Sequence, residues 1–250
     1  SLGYDNQWRD FRWTTNFTYS WNKNEIIELA ANAVNPVTGE ALNLTKLDIK
    51  GLGKAKYILK EGGTLGDLYT TSNLRFNDNG YVEVDKNGNL LMTDEGEDIY
   101  LGSVFPNHNL AWRNDFSYKG INLGVLFTAR LGGVCYSATQ ANLDLYGVSE
   151  ASAAARDAGG VLINGREMVD AQKWYQAIGS QSGLPQYYLY SATNVRLQEL
   201  SLGYTFPRKW FRNKLGLTVS FVGRNLWMIY CKAPFDPEAV ASTGLNYQGI

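Results

Sequence analysis

The chain has 250 residues, and 23 Lys and Arg against 24 Asp and Glu give a formal net charge of −1. This balance argues against a protein that binds nucleic acid through its charge. No run of about 18 apolar residues occurs, which excludes a transmembrane helix. Two cysteines are too few for a disulfide framework. Aromatic residues at 13% and 26 Gly residues are typical of all-β structure with long loops.

The first predicted strand, Phe11–Trp21, has an unusual face. Its odd positions are aromatic except Thr15, and its even positions are short and polar, or Arg12. Strand side chains alternate between two faces, so one face is aromatic and the other is polar. At a tilt of about 45° such a strand covers about 25 Å, near the thickness of a bilayer core. The pattern predicts either a strand of an outer-membrane barrel or a β-sandwich strand with aromatic packing.

Four further segments repeat this alternation: Leu110–Tyr118, Ile121–Leu131, Val195–Phe206 and Leu215–Phe221. The first two flank Lys119-Gly120, a tight-turn signal that predicts a hairpin. The third changes phase near Glu199, which predicts a β-bulge. A basic turn, Pro207–Lys214, separates the third from the fourth.

The connections between these five predicted strands are unequal. Lys119-Gly120 and Pro207–Lys214 are short, whereas residues 22–109 and 132–193 are long. In up-and-down order both short turns lie at one end and both long connections at the other. Outer-membrane barrels have this topology, with short periplasmic turns and long extracellular loops, and a sandwich has no reason to sort its connections. The predicted fold class is therefore all-β, an antiparallel transmembrane barrel segment. Five strands are too few to close the barrel.

The long connections contain structure of their own. Tyr81–Met92 is predicted to form a small hairpin on its Asn-Gly turn. Ser149–Asp157 is predicted to be a helix that begins after Ser149 and ends before a Gly pair. Asp170–Ile178, followed by Gly179, is predicted to be a second short helix.

The charged residues of the predicted strands share one phase and lie on the polar face. In a barrel they would line the lumen, where they are candidates for the substrate path: Arg12, Arg113, Asp115, Arg130, Arg196 and Arg224. The favoured interpretation is a set of interior ion pairs, between neighbouring strands or to protein inside the barrel. A charge on the lipid face near the midplane would cost about 2–4 kcal/mol, which explains the restriction to one phase.

No residue pattern indicates an enzyme or a metal site. His108, the only histidine, is predicted to be a solvated loop residue, and a Ser-His-Asp or Cys-His site would have to use it. Asp94–Asp98 could supply oxygens to Ca²⁺, but a solvated loop face is favoured. The segment Asp85–Asn89 is better explained as a turn than as a calcium-binding loop. Strand spacing places Cys135 and Cys231 about 9.6 Å apart, which predicts free thiols rather than a disulfide.

Short motifs follow one another in order along nearly the whole chain. The longest is Ala192–Pro207, which precedes Gly223–Leu226 and Phe235–Glu238. The upstream motifs are Ser20–Ile26, Arg130–Gly133, Gly147–Ser149 and Ala155–Gly160. In these motifs the chain resembles the SusC/RagA-type TonB-linked outer-membrane proteins of Bacteroidetes.

The resemblance implies a nutrient importer of the cell outer membrane, not an enzyme, with no cofactor. Its 22-stranded barrel would contain a plug, carry a SusD-like lipoprotein as a lid, and be energised through TonB, ExbB and ExbD. Substrates in the family are oligosaccharides or peptides. The loops at residues 32–109 and 235–250 would shape the substrate chamber and contact the lipoprotein, with Phe235, Asp236, Pro237 and Glu238 as candidates.

Parts of the family pattern have no counterpart in residues 1–250. These are the TonB box, the plug and the usual last strand. The first residues also lack a basic and apolar leader. We therefore expect the chain to be a C-terminal part of the receptor barrel, cut at both ends. Two alternatives stay open: a soluble β-sandwich carbohydrate-binding module, and a passive outer-membrane porin.

Overall fold

The computed structural model describes residues 1–30, 33–41, 44–93, 96–180, 182–238, 240–242 and 245–248. Within these residues, no helix is both long enough and apolar enough to cross a membrane. The first two residues of the acidic run, Asp94 and Glu95, lie outside the described residues, as do Gly249 and Ile250.

Strands predominate in the described chain. In order they are β1 (Leu2–Trp8), β2 (Phe11–Trp21), β3 (Lys46–Leu52), β4 (Ala55–Lys60), β5 (Asp67–Thr70), β6 (Asn73–Leu74), β7 (Met92–Thr93), β8 (Ile99–Ser103), β9 (His108–Tyr118), β10 (Ile121–Leu131), β11 (Val134–Tyr136), β12 (Val161–Ile163), β13 (Glu167–Val169), β14 (Leu189–Ser191), β15 (Asn194–Thr205), β16 (Thr218–Cys231), β17 (Val240–Ser242) and β18 (Leu245–Gln248). The helices are α1 (Ala138–Leu145), α2 (Glu150–Asp157) and α3 (Ala171–Ile178), with short 3-10 helices at Pro185–Tyr188 and Arg208–Phe211.

The chain divides into two compact units. The first, here the sheet unit, comprises Ser1–Lys23, Pro106–Gly133 and Ser191–Pro234. The second, here the loop unit, comprises Asn24–Phe105, Val134–Tyr190 and Phe235–Ile250. The long connections predicted from the sequence thus form most of the loop unit.

The sheet unit is built on one six-stranded antiparallel sheet in the order β1-β2-β9-β10-β15-β16. The predicted hairpin is confirmed, because β9 and β10 pair from Tyr118 with Ile121 to His108 with Leu131. Its turn uses the left-handed backbone at Lys119 (φ 46°) and Gly120 (φ 90°), as tight hairpins require. Antiparallel structure is thereby established for this part of the chain.

The prediction of five strands is wrong, because the sheet has six. The missed strand is β1, which pairs with β2 from Leu2 opposite Phe17 to Trp8 opposite Phe11. Its polar centre, with Asp5 and Asn6, weakens the alternation that identifies a strand. The last strand is also longer than predicted, since β16 runs on to Cys231.

The sorting of the connections is confirmed. The short turns β1–β2, β9–β10 and β15–β16 lie at one end of the sheet, and the long connections leave from the other. The predicted bulge is confirmed as well. Leu126 faces Glu199 but the next residue, Phe127, faces Leu197, so Gln198 has no partner on β10. Because of this extra residue, the apolar side chains on both sides of the bulge, such as Leu197 and Leu200, lie on the same face of the sheet.

The loop unit contains small sheets and short helices. Its largest sheet has the order β3-β4-β5-β8. The unit also contains two-stranded sheets: β6-β7, β11-β14, β12-β13 and β17-β18. The predicted hairpin at 81–92 is partly confirmed. Val84 and Leu90 form an isolated bridge around the Asn-Gly turn, whereas Met92 pairs with β6.

Both predicted helices are confirmed, and Ser149 is the N-cap expected for the first. The hydroxyl of Ser149 accepts from the backbone N–H of Ser152, and the carboxylate of Asp170 accepts from that of Lys173. Helix α1 was not predicted, because its hydrophobic pattern is weak. It begins after Ser137, whose side chain accepts from the N–H of Gln140.

The helices and the strand pair β6-β7 of the loop unit share one hydrophobic core. Tyr136, Leu184 and Tyr188 are among its most deeply buried side chains. The Tyr188 hydroxyl donates to the buried Asp144 carboxylate over 2.9 Å. Burial raises the pKa of Tyr136 to about 12, and burial next to Asp144 raises that of Tyr188.

No disulfide joins Cys135 and Cys231, as predicted. Cys135 is buried in β11, where its thiol donates weakly to the carbonyl of Tyr190 over 3.5 Å. Cys231 is the last residue of β16 and lies opposite Asn194. It belongs to the strand itself rather than to the loop after it.

Candidate functional site

The two faces of the six-stranded sheet differ in chemistry along its whole width. Residues that lie opposite each other in antiparallel strands share a face. The row Trp13, Phe116 and Leu123 therefore lies on one face, and the row Thr14, Asp115 and Gly124 on the other. The second face, here called the polar face, carries the predicted site residues of the strands.

Arg12 lies on the polar face of β2 and forms an ion pair with Asp5 of β1. Its Nη2 lies 2.8 Å from Asp5 Oδ2 and its Nε 3.0 Å from Asp5 Oδ1. The Thr14 hydroxyl donates to the same carboxylate over 2.8 Å. The sequence prediction missed Asp5 because it missed β1. The alternation of Leu2, Tyr4 and Trp8 around it was the available signal.

A second group of charges crosses the sheet from β9 to β16. Arg113 forms a two-pronged pair with Asp115, with Nε 2.8 Å from Oδ2 and Nη2 3.0 Å from Oδ1. Its Nη1 lies 3.4 Å from Glu199 of β15, and Arg224 of β16 donates to the other oxygen of Glu199 over 3.1 Å. Arg12 and Arg224 thus form ion pairs between neighbouring strands, as predicted, whereas Arg113 pairs within β9 and, across β10, with β15.

Glu199 joins the second group, and it was not among the predicted site residues. Its side chain is only 18% exposed, against 44% for Arg113 and 75% for Arg224. It sits beside the bulge, where the register shift turns it toward Leu126 and Arg224 on the two neighbouring strands. Pairs this exposed contribute only about 0–1 kcal/mol each, so their main effect is to fix the positions of the charges.

Arg130 and Arg196 lie apart from these groups, at the end of the sheet where the long connections leave. Arg130 is opposite Asn109 and Asn194, one residue from the end of β10. Arg196 is only 4% exposed, and its Nε donates to the side-chain amide oxygen of Asn194 (Oδ1) over 3.2 Å. Burial of a guanidinium in this way restricts it to one orientation.

A groove of about 460 Å³ opens on the polar face near the short-turn end. Its lining is mixed, with the polar residues Arg12, Asp115, Asn122 and Ser201 beside the apolar Phe116 and Leu123. Gly124 forms its floor, because a Cβ there would lie 2.5 Å from the Ser201 hydroxyl and 2.9 Å from an oxygen of Asp115. The missing side chain gives these polar groups their space.

The predicted partner-contact residues lie in the loop unit. The Phe235 ring packs edge-on against Tyr190, with 5.4 Å between centroids. The Asp236 carboxylate accepts from the backbone N–H of Glu238 over 2.9 Å, which fixes a local turn. Pro237 is buried, and the other three residues are half-buried. Their contact with a partner stays a prediction.

His108 is not a loop residue, contrary to the prediction. It is the first residue of β9 and lies on the aromatic face, opposite Trp21 and Leu131. Its Nδ1 is hydrogen-bonded to the hydroxyl of Tyr19 over 2.9 Å, and the two rings stack. Aromatic stacking at a strand end accounts for its position.

The turn interpretation of Asp85–Asn89 is confirmed. The Asp85 carboxylate accepts from the backbone N–H groups of Asn87 and Asn89, and Gly88 adopts φ 75°. The backbone hydrogen bond from Asn89 lowers the pKa of Asp85. In the acidic run Asp94–Asp98, the carboxylate of Asp98 forms an ion pair with Lys46 over 2.6 Å. In the part of the chain that the structure describes, no three His, Cys, Asp or Glu residues are grouped to hold a metal.

Comparison with known proteins identifies the kind of protein. No protein-family model matches the chain. A curated protein of Formosa agariphila named TonB-dependent receptor P3 is 25% identical over 254 residues, which cover 92% of this chain and 24% of that protein. The chain is thus similar to a TonB-dependent receptor over most of its length. The resemblance to TonB-linked outer-membrane proteins is confirmed.

Solved structures that are similar to the chain agree on its fold. The RagAB peptide transporter matches with a TM-score of 0.59 and 20% identity over 97% of this chain and 26% of that one. The open-open state of the RagAB peptide importer matches with a TM-score of 0.60 and 18% identity, over 96% and 25%. The chain thus spans about a quarter of the length of the proteins it matches. What it shares with them is a mainly antiparallel β fold.

Proposed function

We propose that the chain is part of the wall of an outer-membrane, TonB-dependent nutrient importer. The two-faced sheet is the observation that carries this proposal. Large apolar side chains on the face opposite the polar one are exposed, with Trp21 at 60%, Trp227 at 64% and Phe221 at 78%. A sheet with ion pairs on one face and exposed aromatic residues on the other fits a wall between an aqueous lumen and lipid.

The dimensions of the sheet agree with this location. Strands β2, β9 and β10 each have 11 residues, which at a tilt of about 45° cover about 25 Å, the height of the apolar band of such barrels. Trp8 and Tyr118 lie near the short-turn end of the aromatic face, and Tyr19 and Trp21 near the other. Trp and Tyr favour both membrane interfaces, so the proposal places one group at each.

The proposal extends the sheet into a larger barrel. The outer strands β1 and β16 would each pair with a further strand of the same receptor, because an open sheet edge in lipid leaves backbone groups unsatisfied. By analogy with the SusC/RagA family we propose that these six strands belong to a 22-stranded barrel. TonB, ExbB and ExbD would then energise transport through parts of the receptor outside residues 1–250.

The soluble alternative is disfavoured by the same face. A β-sandwich would cover its aromatic face with a second sheet, whereas Phe221 and Trp227 are largely exposed. A passive porin would share the wall, so the wall does not distinguish it from an importer. The similarity to a TonB-dependent receptor favours the importer.

Site-directed spin labelling tests the wall directly. We expect a label at Ala129→Cys to be accessible to oxygen dissolved in lipid, and a label at Thr128→Cys to be accessible to a water-soluble nickel reagent. The two residues are neighbours on β10, but Ala129 is opposite Leu110 and Thr128 opposite Ala111 on the polar face. The full-length receptor in bilayers, with its native cysteines replaced, is the sample. Equal accessibility of both labels to the nickel reagent contradicts the wall assignment.

We further propose that the loop unit faces the cell exterior and contacts a SusD-like lipoprotein. Support comes from the sorted connections and from the RagAB complexes that share the fold. We expect deletion of Phe235–Glu238 to weaken co-purification of the lipoprotein with the full-length receptor by at least about tenfold. The double variant Asp10→Asn/Lys119→Asn, in two short turns of the sheet unit, is the control. Unchanged recovery of the lipoprotein from a folded receptor contradicts the assignment.

The proposed substrates are the two classes that the SusC/RagA family imports, oligosaccharides and peptides. The RagAB neighbours are described as peptide transporters, which favours peptides in this proposal. Arg12, Asp115 and Arg224 are proposed to line the passage, together with Arg113, Arg130 and Arg196. Uptake of labelled oligopeptides and oligosaccharides by cells with and without the receptor distinguishes the two classes.

A further inference from the structure

The turn between β15 and β16 has a composition unlike that of the other two short turns. It contains the 3-10 helix Arg208–Phe211 and carries four exposed cations: Arg208, Lys209, Arg212 and Lys214. Backbone hydrogen bonds order it, from the N–H of Asn213 to the carbonyl of Arg208 and from that of Lys214 to the carbonyl of Phe211. The cations therefore project from a defined framework.

None of the four cations has a carboxylate partner within the described residues. The ion pairs there involve other residues, and the four do not take part in them. In the neighbouring β9–β10 turn, by contrast, Lys119 lies 4.0 Å from Asp10. Four like charges in seven positions repel one another, so an anionic partner would stabilise the turn.

Aromatic side chains connect this turn to the apolar face of the sheet. Tyr204 lies on that face opposite Ile121, and its ring packs edge-on against Phe206 at 4.9 Å. Phe206 in turn contacts Trp210 at 5.9 Å. Trp210 is 62% exposed and the nearby Leu215 is 52% exposed. The apolar face thus continues without a break into the basic turn.

We propose that the surface formed by Arg208–Lys214 binds the headgroups of anionic phospholipids at the membrane interface on the short-turn side. This inference rests on the proposed wall function, which places the apolar face in lipid. An indole on the hydrocarbon side and lysines and arginines beside it are the combination that binds a phosphate group at an interface. An acidic protein segment would match the charges but would leave the exposed Trp210 and Leu215 without a role.

Lipid binding to the full-length receptor tests the proposal. Phosphatidylglycerol and phosphatidylcholine with a fluorescent tail are titrated onto the receptor in neutral detergent, and binding is followed by anisotropy. We expect phosphatidylglycerol to bind at least about tenfold more tightly at 0.1 M salt, because each Lys or Arg near an anionic surface is worth about a factor of five. At 1 M salt the preference falls close to one, because the screening length shrinks to about 3 Å.

The variant Lys209→Gln/Arg212→Asn/Lys214→Gln is expected to lose the preference at 0.1 M salt. Asn suits position 212, where φ is 54°. The charge-matched control is Lys23→Gln/Lys86→Gln/Lys232→Gln, three exposed lysines outside the turn, and it should keep the preference. A preference retained by the first variant, or absent from the parent receptor, overturns the proposal.

A parallel measurement distinguishes failure of the lipid-binding proposal from failure of the wall proposal. Insertion of the receptor into bilayers is measured in parallel, from its resistance to heat-induced unfolding on gels. A receptor that inserts but shows no preference for phosphatidylglycerol overturns the lipid inference alone. A receptor that does not insert overturns the wall proposal.

Discussion

Replacing Val125 by Arg is expected to lower the free energy of unfolding of the membrane-inserted receptor by about 2–4 kcal/mol. Val125 lies near the middle of β10 on the apolar face, opposite Asn114 and Leu200. A guanidinium there would lie near the bilayer midplane, where the free-energy cost of a charge facing lipid is greatest. The measurement is the guanidinium chloride midpoint of the full-length receptor in lipid vesicles, read from heat-resistant mobility on gels.

Two further variants separate the charge from other effects. Val125→Ala removes the packing of the side chain without adding charge, and we expect a loss of about 1 kcal/mol. Ala111→Arg adds the same charge on the polar face, where its cross-strand neighbours Thr18 and Thr128 are neutral. It should change stability by less than about 1 kcal/mol. Equal losses for Val125→Arg and Ala111→Arg contradict the assignment of one face to lipid.

Replacing Gly124 by Val is expected to cost about 1–3 kcal/mol, although Val favours strands. The reason is space, because even a Cβ would lie 2.5 Å from the Ser201 hydroxyl and 2.9 Å from Asp115. The displaced Asp115 carboxylate would also loosen its pair with Arg113, which lies at 2.8 Å. The same unfolding midpoint measures the loss.

A second substitution tests whether crowding is the cause. Ser201→Gly removes the nearest obstacle, so the double variant Gly124→Val/Ser201→Gly should recover at least half of the loss. The coupling between the two positions then appears in a double-mutant cycle. Additive losses at Gly124 and Ser201 contradict the steric explanation, and the groove would then not depend on the missing side chain.

The role proposed for the polar face depends on where its charges lie rather than on how much they stabilise the sheet. Exposed pairs such as Arg12 with Asp5 stabilise the sheet little, but they hold charges of both signs at fixed places along the proposed passage. Glu199 is shared between Arg113 and Arg224, so these three charges act as one group. A substrate that contacts one of them would also meet the others.

Strand alternation predicted the sheet well, for a physical reason. Each face of a two-faced strand meets a different solvent, so every second residue reports the environment of its face. The aromatic row of Phe11–Trp21 and the turn at Lys119-Gly120 were sufficient to place β2, β9 and β10. The helix cap Ser149 was predictable because capping depends on neighbours in sequence.

The missed strand β1 has a specific cause. Strand β1 carries polar residues at its centre, and Asn6 lies on the apolar face, where its amide donates to Tyr4. Asn114 breaks the pattern in the same way, because it is buried on the apolar face and accepts from the indole of Trp13. Such polar residues are tolerated through cross-strand or local partners, which sequence spacing does not reveal.

The sequence by itself determined the alternation of the faces, the sorting of short and long connections, and the set of strand charges on the polar face. Only the tertiary structure decided which charges meet. Glu199 reaches Arg113 and Arg224 because a bulge shifts the register of β15, and Gly124 leaves room for Asp115 and Ser201. Register depends on hydrogen bonds between strands distant in sequence, so the pairs on the polar face are properties of the assembled sheet.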